Sequence, residues 1–119
     1  GLYGLSNATL DDPWTKVTRS KAKLAQLIEQ DNVNETTLLR LLDDRDKAST
    51  DEVEANGLSF SMAHALTAPF VLNPKYGTRC STVLTISRGG HARFTERRFD
   101  PAGIPSGDST FAFDLVGVD

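Results

Sequence analysis

The stretch TRCSTVLTISRGGHARFTERRFD, residues 78–100, holds two runs rich in β-branched and aromatic residues, separated by Arg88-Gly89-Gly90. Such runs read as strands, and a short glycine-bearing link between them reads as a hairpin. The length of the link decides the pairing. A two-residue Gly-Gly loop sets Leu84 opposite Thr95 and Ile86 opposite Arg93. A three-residue loop sets Leu84 opposite Phe94 and Ile86 opposite Ala92, so the apolar residues of both strands share one face. A slip of one residue sends that set to opposite faces, so the spacing predicts the three-residue loop, with Gly90 in the left-handed conformation. Cys80 then shares the face of Leu84 and Ile86, and it is expected to be a small buried residue.

Downstream, the Pro/Gly-rich DPAGIPSGDS (100–109) reads as a connection. TFAFDLV (110–116) reads as a third strand, with Phe111, Phe113 and Leu115 on one buried face. Arg93, Arg97 and Arg98 read as edge or solvent charges.

Upstream, residues 2–6 look like the end of a strand. Asp12 then reads as the N-cap of a helix from about Pro13 to Gln30, with Pro13 at its first position. Trp14, Val17, Leu24 and Ile28 share one face of it, and Lys16, Arg19, Lys21 and Lys23 fall largely on a solvated face. A second helix opens at Asn34 as N-cap, with Glu35 in its first turn and Val33 positioned to pack on Leu38. Leu38, Leu41 and Leu42 form its expected buried stripe, and it should end near Asp44 or Arg45. DRDKASTDEVEANG (44–57) reads as a polar loop. In LSFSMAHALTAPFVLNP (58–74), Phe60, Ala63 and Leu66 line a short helix, and Phe70 to Leu72 form a short extended run. The element order predicts an α+β fold, two helices packed on one side of a mainly antiparallel sheet.

The 119 residues carry a formal net charge of −3. That balance argues against a nucleic-acid partner, which would require a basic face. One cysteine excludes a disulfide within the chain and fits a reducing, cytoplasmic setting as well as indifference to redox. No apolar run approaches the roughly 18 residues that mark a membrane span. Nothing in the sequence calls for a cofactor. No metal site is expected either, because the carboxylates of the acidic loop match no calcium loop with its central glycine. His64, without a second ligand or a nucleophile beside it, reads as structural.

Three blocks carry a resemblance: GLSNATLDDPWTKVTRSKAKL (4–24), YGTRCSTVLTI (76–86) and RFTERRFDPAG (93–103). In this order and spacing they resemble the NRDE family, also called the transport and Golgi organisation protein 2 family. Members of that family are longer. They begin with a strand bearing a cysteine just behind the initiator methionine, followed by an Asn-Arg-Asp-Glu tetrapeptide. Neither feature occurs here. The resemblance therefore implies that residues 1–119 form a single partial domain, the C-terminal half of such a protein. On that expectation the fragment lacks its own nucleophile, is inactive alone, and exposes a sheet edge and an apolar face.

The family in turn is similar to N-terminal nucleophile hydrolases of the bile-salt and penicillin V acylase branch, which have a four-layer αββα fold. There the first residue is the nucleophile and its α-amino group is the base, since a weak nucleophile needs an adjacent base. The resemblance implies hydrolysis of a small-molecule acyl or amide substrate by an N-terminal cysteine lying outside this chain. It gives Asn7 the role of oxyanion donor, with Asn7 as a backbone-bonding turn residue the competing reading. Arg79 belongs to the second block and is a candidate for a ligand carboxylate or phosphate, or for a local ion pair. Cys80, mid-strand, has no α-amino group beside it and is not a candidate nucleophile. The alternative implied by the family is a non-catalytic protein of haem or acyl-CoA/lipid homeostasis. His64, Tyr3, Tyr76 and Cys80 are then the conceivable haem ligands.

Overall fold

A computed structural model describes residues 1–117. Ser87 and His91 close the hairpin. The Ser87 N–H donates to the His91 carbonyl at 2.9 Å, and the Gly90 N–H folds back onto the Ser87 carbonyl at 3.0 Å. Strands β1 (Cys80–Ile86) and β2 (His91–Phe99) pair antiparallel with Leu84 opposite Phe94 and Ile86 opposite Ala92. The three-residue link holds, and Gly90 has φ +81°, a conformation glycine adopts without a Cβ penalty.

Strand β3 (Pro105–Asp114) pairs antiparallel with the other edge of β2, so the order is β1-β2-β3 and β2 is central. It begins well inside the stretch expected as a connection. The Asp100 carboxylate accepts from the Ala102 and Ile104 N–H groups at 2.9 and 3.0 Å. That contracts the turn and lets Pro105 pair with Phe99 across a bulge. A proline is tolerated at a strand's first residue, where its missing donor interrupts no ladder. Because β2 is central, its arginines are not edge charges. Arg97 grips Asp108 through Nε and Nη2 at 3.0 and 3.1 Å. Arg98 reaches Ser109 at 2.7 Å, and Arg93 pairs with Glu35 at 2.6 Å.

Residues 1–6 join no sheet. A strand exists only through its ladder, and no described segment offers them one. Helix α1 spans Thr15–Glu29. Trp14, not Asp12, occupies its N-cap, and no side chain caps it. The loop's turns run on through Asp12: its N–H meets the Thr9 carbonyl at 3.1 Å, and the Trp14 N–H meets the Asp12 carbonyl at 2.8 Å. Val17 is buried, whereas Trp14 and Ile28 on the same face are exposed. The basic residues of α1 are not a solvated fringe. Arg19 and Lys23 converge on buried Asp44 at 2.8 and 2.6 Å. Lys21 holds Asp11 at 2.9 Å, and Lys16 donates to the Leu66 carbonyl at 3.0 Å. A buried carboxylate such as Asp44 persists only with partners of this kind.

Helix α2 (Glu35–Leu42) has the expected cap. The Asn34 side chain accepts from the Thr37 N–H at 2.9 Å, and the Asn34 N–H donates to Thr37 Oγ1 at 3.0 Å. It stops at Leu42, with Asp43 as C-cap. Its fully buried residue is Leu39, flanked by half-buried Leu38, Leu41 and Leu42, because the helix lies against both α1 and β1. The acidic loop contains a 3₁₀ turn (Thr50–Glu52). Helix α3 (Phe60–Ala65) follows, capped by Ser59, which accepts from Met62 at 3.2 Å.

The core lies between these helices and the sheet face of Val83, Thr95 and Phe99. Phe70 meets Phe99 edge-on at 4.8 Å between centroids, and the Arg45 guanidinium stacks 4.2 Å over Phe70. Arg45 also donates to the Gly103 carbonyl at 2.7 Å. Gly103, at φ +76°, has no room for a Cβ, which would lie 2.8 Å from Leu72 and 2.9 Å from Arg45.

The opposite face is bare. Leu84, Ile86, Phe111 and Phe113 are each about half exposed or more, and Cys80 is exposed with them. The expected burial of Cys80 and of the third strand's apolar face therefore fails. The helices cover the other face, and nothing among the described residues covers this one. The observed architecture is α+β, a helical layer on one face of a three-stranded antiparallel sheet.

Candidate functional site

The segment bearing Ser6 and Asn7 is a loop clasped at both ends. The Gly4 N–H donates to Asp11 Oδ1 and the Asp11 N–H donates to the Gly4 carbonyl, both at 2.7 Å. Lys21 Nζ on the same Oδ1, at 2.9 Å, ties the clasp to α1. The Lys21 hydrogen bond and then the Gly4 N–H hold the Asp11 carboxyl below the ordinary aspartate range. Asp11 adopts φ +58°, a left-handed conformation that Asp tolerates better than most residues. Gly4 lies directly on α1: a Cβ there would meet Val17 at 2.6 Å.

The clasp sets Ser6 and Asn7 on the wall of a cavity of about 370 Å³, lined also by Tyr3, Val17, Ser20, Leu24, Leu41, Leu42 and Pro69. Asn7 is exposed. The hydrogen bonds of the clasp run from Gly4 through Asp11 to Lys21, and among the described residues the Asn7 side chain has no hydrogen-bond partner. The Ser6 hydroxyl is shielded from solvent and has no hydrogen-bond partner among the described residues. Lys16 borders the same cavity, but its ammonium is turned to the Leu66 carbonyl and lies 5.7 Å from the Trp14 ring. Burial pushes its pKa down.

On the other side of Lys16 is a second cleft, of about 530 Å³, whose lining includes Asp12, Trp14, Glu52, Glu54 and Leu58. No group of three or more His, Cys, Asp or Glu residues among those described could hold a metal ion.

The other residues singled out in the sequence lie apart from Asn7. Arg79 is exposed just ahead of β1 and lines neither cavity; its carbonyl accepts from the Phe99 N–H at 2.8 Å. The neighbouring Tyr76-Gly77 forms a tight bend, in which the Asn73 side chain accepts from the Lys75 and Tyr76 N–H groups. His64 Nε2 is engaged by the Ala48 carbonyl at 2.9 Å. Of His64, Tyr3, Tyr76 and Cys80, only Tyr3 lines either cavity. Ser6 was not legible as a site residue, since no local pattern marks a hydroxyl that ends up buried without a partner.

Residues 1–101 match the family described as Transport and Golgi organisation 2. The chain belongs to this family. It is 34% identical over 105 residues to the Transport and Golgi organization protein 2 homolog of Bos taurus. It is 33% identical to the corresponding homologs of Mus musculus and Homo sapiens. Each match covers 82% of this chain but only 38% of the relative. The family match contains the clasp, the Ser6-Asn7 corner, α1 to α3, β1 and β2. It stops short of β3. No helix among the described residues is long and apolar enough to cross a membrane.

Proposed function

We propose that this chain is the C-terminal part of a Transport and Golgi organisation 2 protein that hydrolyses an amide or related acyl bond. The nucleophile would be an N-terminal cysteine supplied by the rest of the protein, and Asn7 would donate its side-chain amide to the oxyanion. The observation that carries this reading is the uncommitted Asn7 amide, held by the Gly4–Asp11 clasp at the wall of a cavity lined mainly by apolar residues. An amide N–H₂ is a suitable oxyanion donor, and fixed donors of this kind are a large term in acyl transfer. The bare face of Leu84, Ile86, Phe111 and Phe113 supports the partial-domain reading, because a surface of that kind calls for a covering layer.

Two replacements in a full-length family member test the reading, assayed against acyl-amide substrates. Replacing the N-terminal cysteine abolishes turnover. Replacing the asparagine equivalent to Asn7 by alanine lowers kcat by about 100- to 1,000-fold with little change in KM. Turnover that survives loss of the cysteine removes the mechanism. The 119-residue chain alone shows no turnover.

A further inference from the structure

The cleft beyond Lys16 is larger than the cavity at Asn7, about 530 against 370 Å³. It lies between the start of α1, the 3₁₀ turn with the loop that follows it, and α3. Three carboxylates, Asp12, Glu52 and Glu54, line it against one cation, Lys16. None of the three joins an ion pair among the described residues. Glu52 Oε2 accepts from the Thr15 hydroxyl at 3.2 Å. The other basic residues of α1 are matched elsewhere, Arg19 and Lys23 by Asp44 and Lys21 by Asp11.

The rest of the lining is apolar. Trp14 and Leu58 are 41% and 47% exposed, which leaves surface on both for a ligand, and Ala63 and Leu66 adjoin them. The chain's own lysine displays the chemistry this lining accepts. The Lys16 ammonium is held by the Leu66 carbonyl at 3.0 Å and stands 5.7 Å from the centre of the Trp14 ring, within the roughly 6 Å at which an indole attracts a cation. A metal ion does not fit, because no group of three or more His, Cys, Asp or Glu among the described residues could hold one. An anion would meet the field of three like charges. Carboxylates spread around a partly apolar cleft suit a cation whose charge is carried on an organic body.

We propose that this cleft binds a small organic cation, an alkylammonium compound. Its ammonium lies among Asp12, Glu52 and Glu54, and its alkyl part packs on Trp14 and Leu58. A volume of about 530 Å³ suits a small molecule, whose sites run to roughly 300–1,000 Å³. The site is independent of the hydrolase reading. It shares only Lys16 with the Asn7 cavity, and that ammonium is turned to the Leu66 carbonyl on the cleft side.

Trp14 is the one tryptophan of the chain and serves as the reporter. The 119-residue chain is titrated at pH 7 and low ionic strength with n-butylammonium, n-butanol and butyrate in turn. Binding is followed by tryptophan fluorescence and by the NMR shifts of the Trp14 indole N–H and the Ala63 methyl. Butylammonium gives saturable changes at both residues, and butanol and butyrate bind at least about fivefold more weakly, since the charge of the ligand is what the carboxylates recognise. Added salt weakens butylammonium. Glu52→Gln combined with Glu54→Gln weakens it about fivefold, because each exposed ion pair is worth about two- to fivefold. Both residues are exposed, so the circular dichroism of this double variant stays that of the wild type. Butanol binding as tightly as butylammonium would reduce the cleft to an apolar surface. Butyrate binding more tightly would make it an anion site at Lys16. Unchanged affinity in the folded double variant would leave the carboxylates without a part. Each of these overturns the proposal, as does the absence of any saturable change at Trp14.

Discussion

Asp44 shows how one residue organises its surroundings. Its side chain is 3% exposed and receives Arg19 and Lys23 from α1. Its carbonyl accepts the Phe70 N–H at 2.8 Å. One residue thus joins α1, the end of α2 and the segment that carries the core aromatic. Burial works to raise its carboxyl pKa. The hydrogen bonds from Lys23, the Asp46 N–H and Arg19 outweigh that, and the pKa lies below the ordinary range. The folded state therefore favours the charged form. Its contribution is complete above the unfolded pKa of about 3.9 and is lost as pH falls through the lower folded value. Asp44→Asn is expected to destabilise the chain by about 2–3 kcal/mol at pH 7, because it leaves two cations without their anion. Urea unfolding between pH 7 and pH 2 checks both statements: the variant's stability should fall less steeply than the wild type's below pH 4. The sequence shows Asp44 only as one acidic residue in an acidic stretch. Its burial is a consequence of where α1 crosses α2.

At the scale of elements, α2 is tied to the sheet by its first residue. Glu35 accepts from Arg93 Nε at 2.6 Å and from Thr95 Oγ1 at 3.0 Å. Thr95 is 1% exposed and also meets Thr110 at 3.2 Å, so the contact reaches from the helix through β2 to β3. The Arg93 hydrogen bond, then that from Thr95, lowers the Glu35 carboxyl pKa. A double-mutant cycle of Glu35→Gln and Arg93→Ala, read by chemical denaturation, is expected to give a coupling of about 0.5–1 kcal/mol, modest because Arg93 is 54% exposed. Within the elements, what was legible was what depends on neighbours in sequence. The Asn34 cap, the hairpin link and the strand register are local chemistry, and each stands as read. The start of α1, the start of β3 and the inward line of α2 were not legible. Each is set by a contact with another segment: the loop turns through Asp12, the Asp100 turn, and the packing of α2 between α1 and β1.

For the whole molecule, the sheet's two faces are the central fact. The helices cover the face of Val83, Thr95 and Phe99, and the face of Leu84, Ile86, Phe111 and Phe113 is bare. Strand β3 is also an edge, with few of its ten residues shielded. An exposed edge strand beside a bare apolar face promotes association. The chain is expected to self-associate with rising concentration in sedimentation velocity runs. The pair Phe111→Ser and Phe113→Ser should shift it towards monomer while leaving the helical circular dichroism unchanged. A wild-type chain that stays monomeric at high concentration would count against the face as an association surface.

The sequence by itself determined the family, through the resemblance of three blocks of residues to known members. It also determined the α+β class, the existence of both main helices, and the hairpin and its register, which follow from spacings of two and of three to four residues and are properties of a chain read against itself. Only the tertiary structure decided which side of each element faces inward. The two sheet faces compete for one helical layer, and the less apolar face receives it, held by Glu35 on Arg93 and Thr95. The same holds at the candidate site. Ser6-Asn7 is legible as a pair, but the unpartnered Ser6 hydroxyl and the cavity beneath it exist only because the Gly4–Asp11 clasp folds the loop onto α1. Burial and partnership are set by segments distant in sequence, and no spacing within the chain encodes them locally.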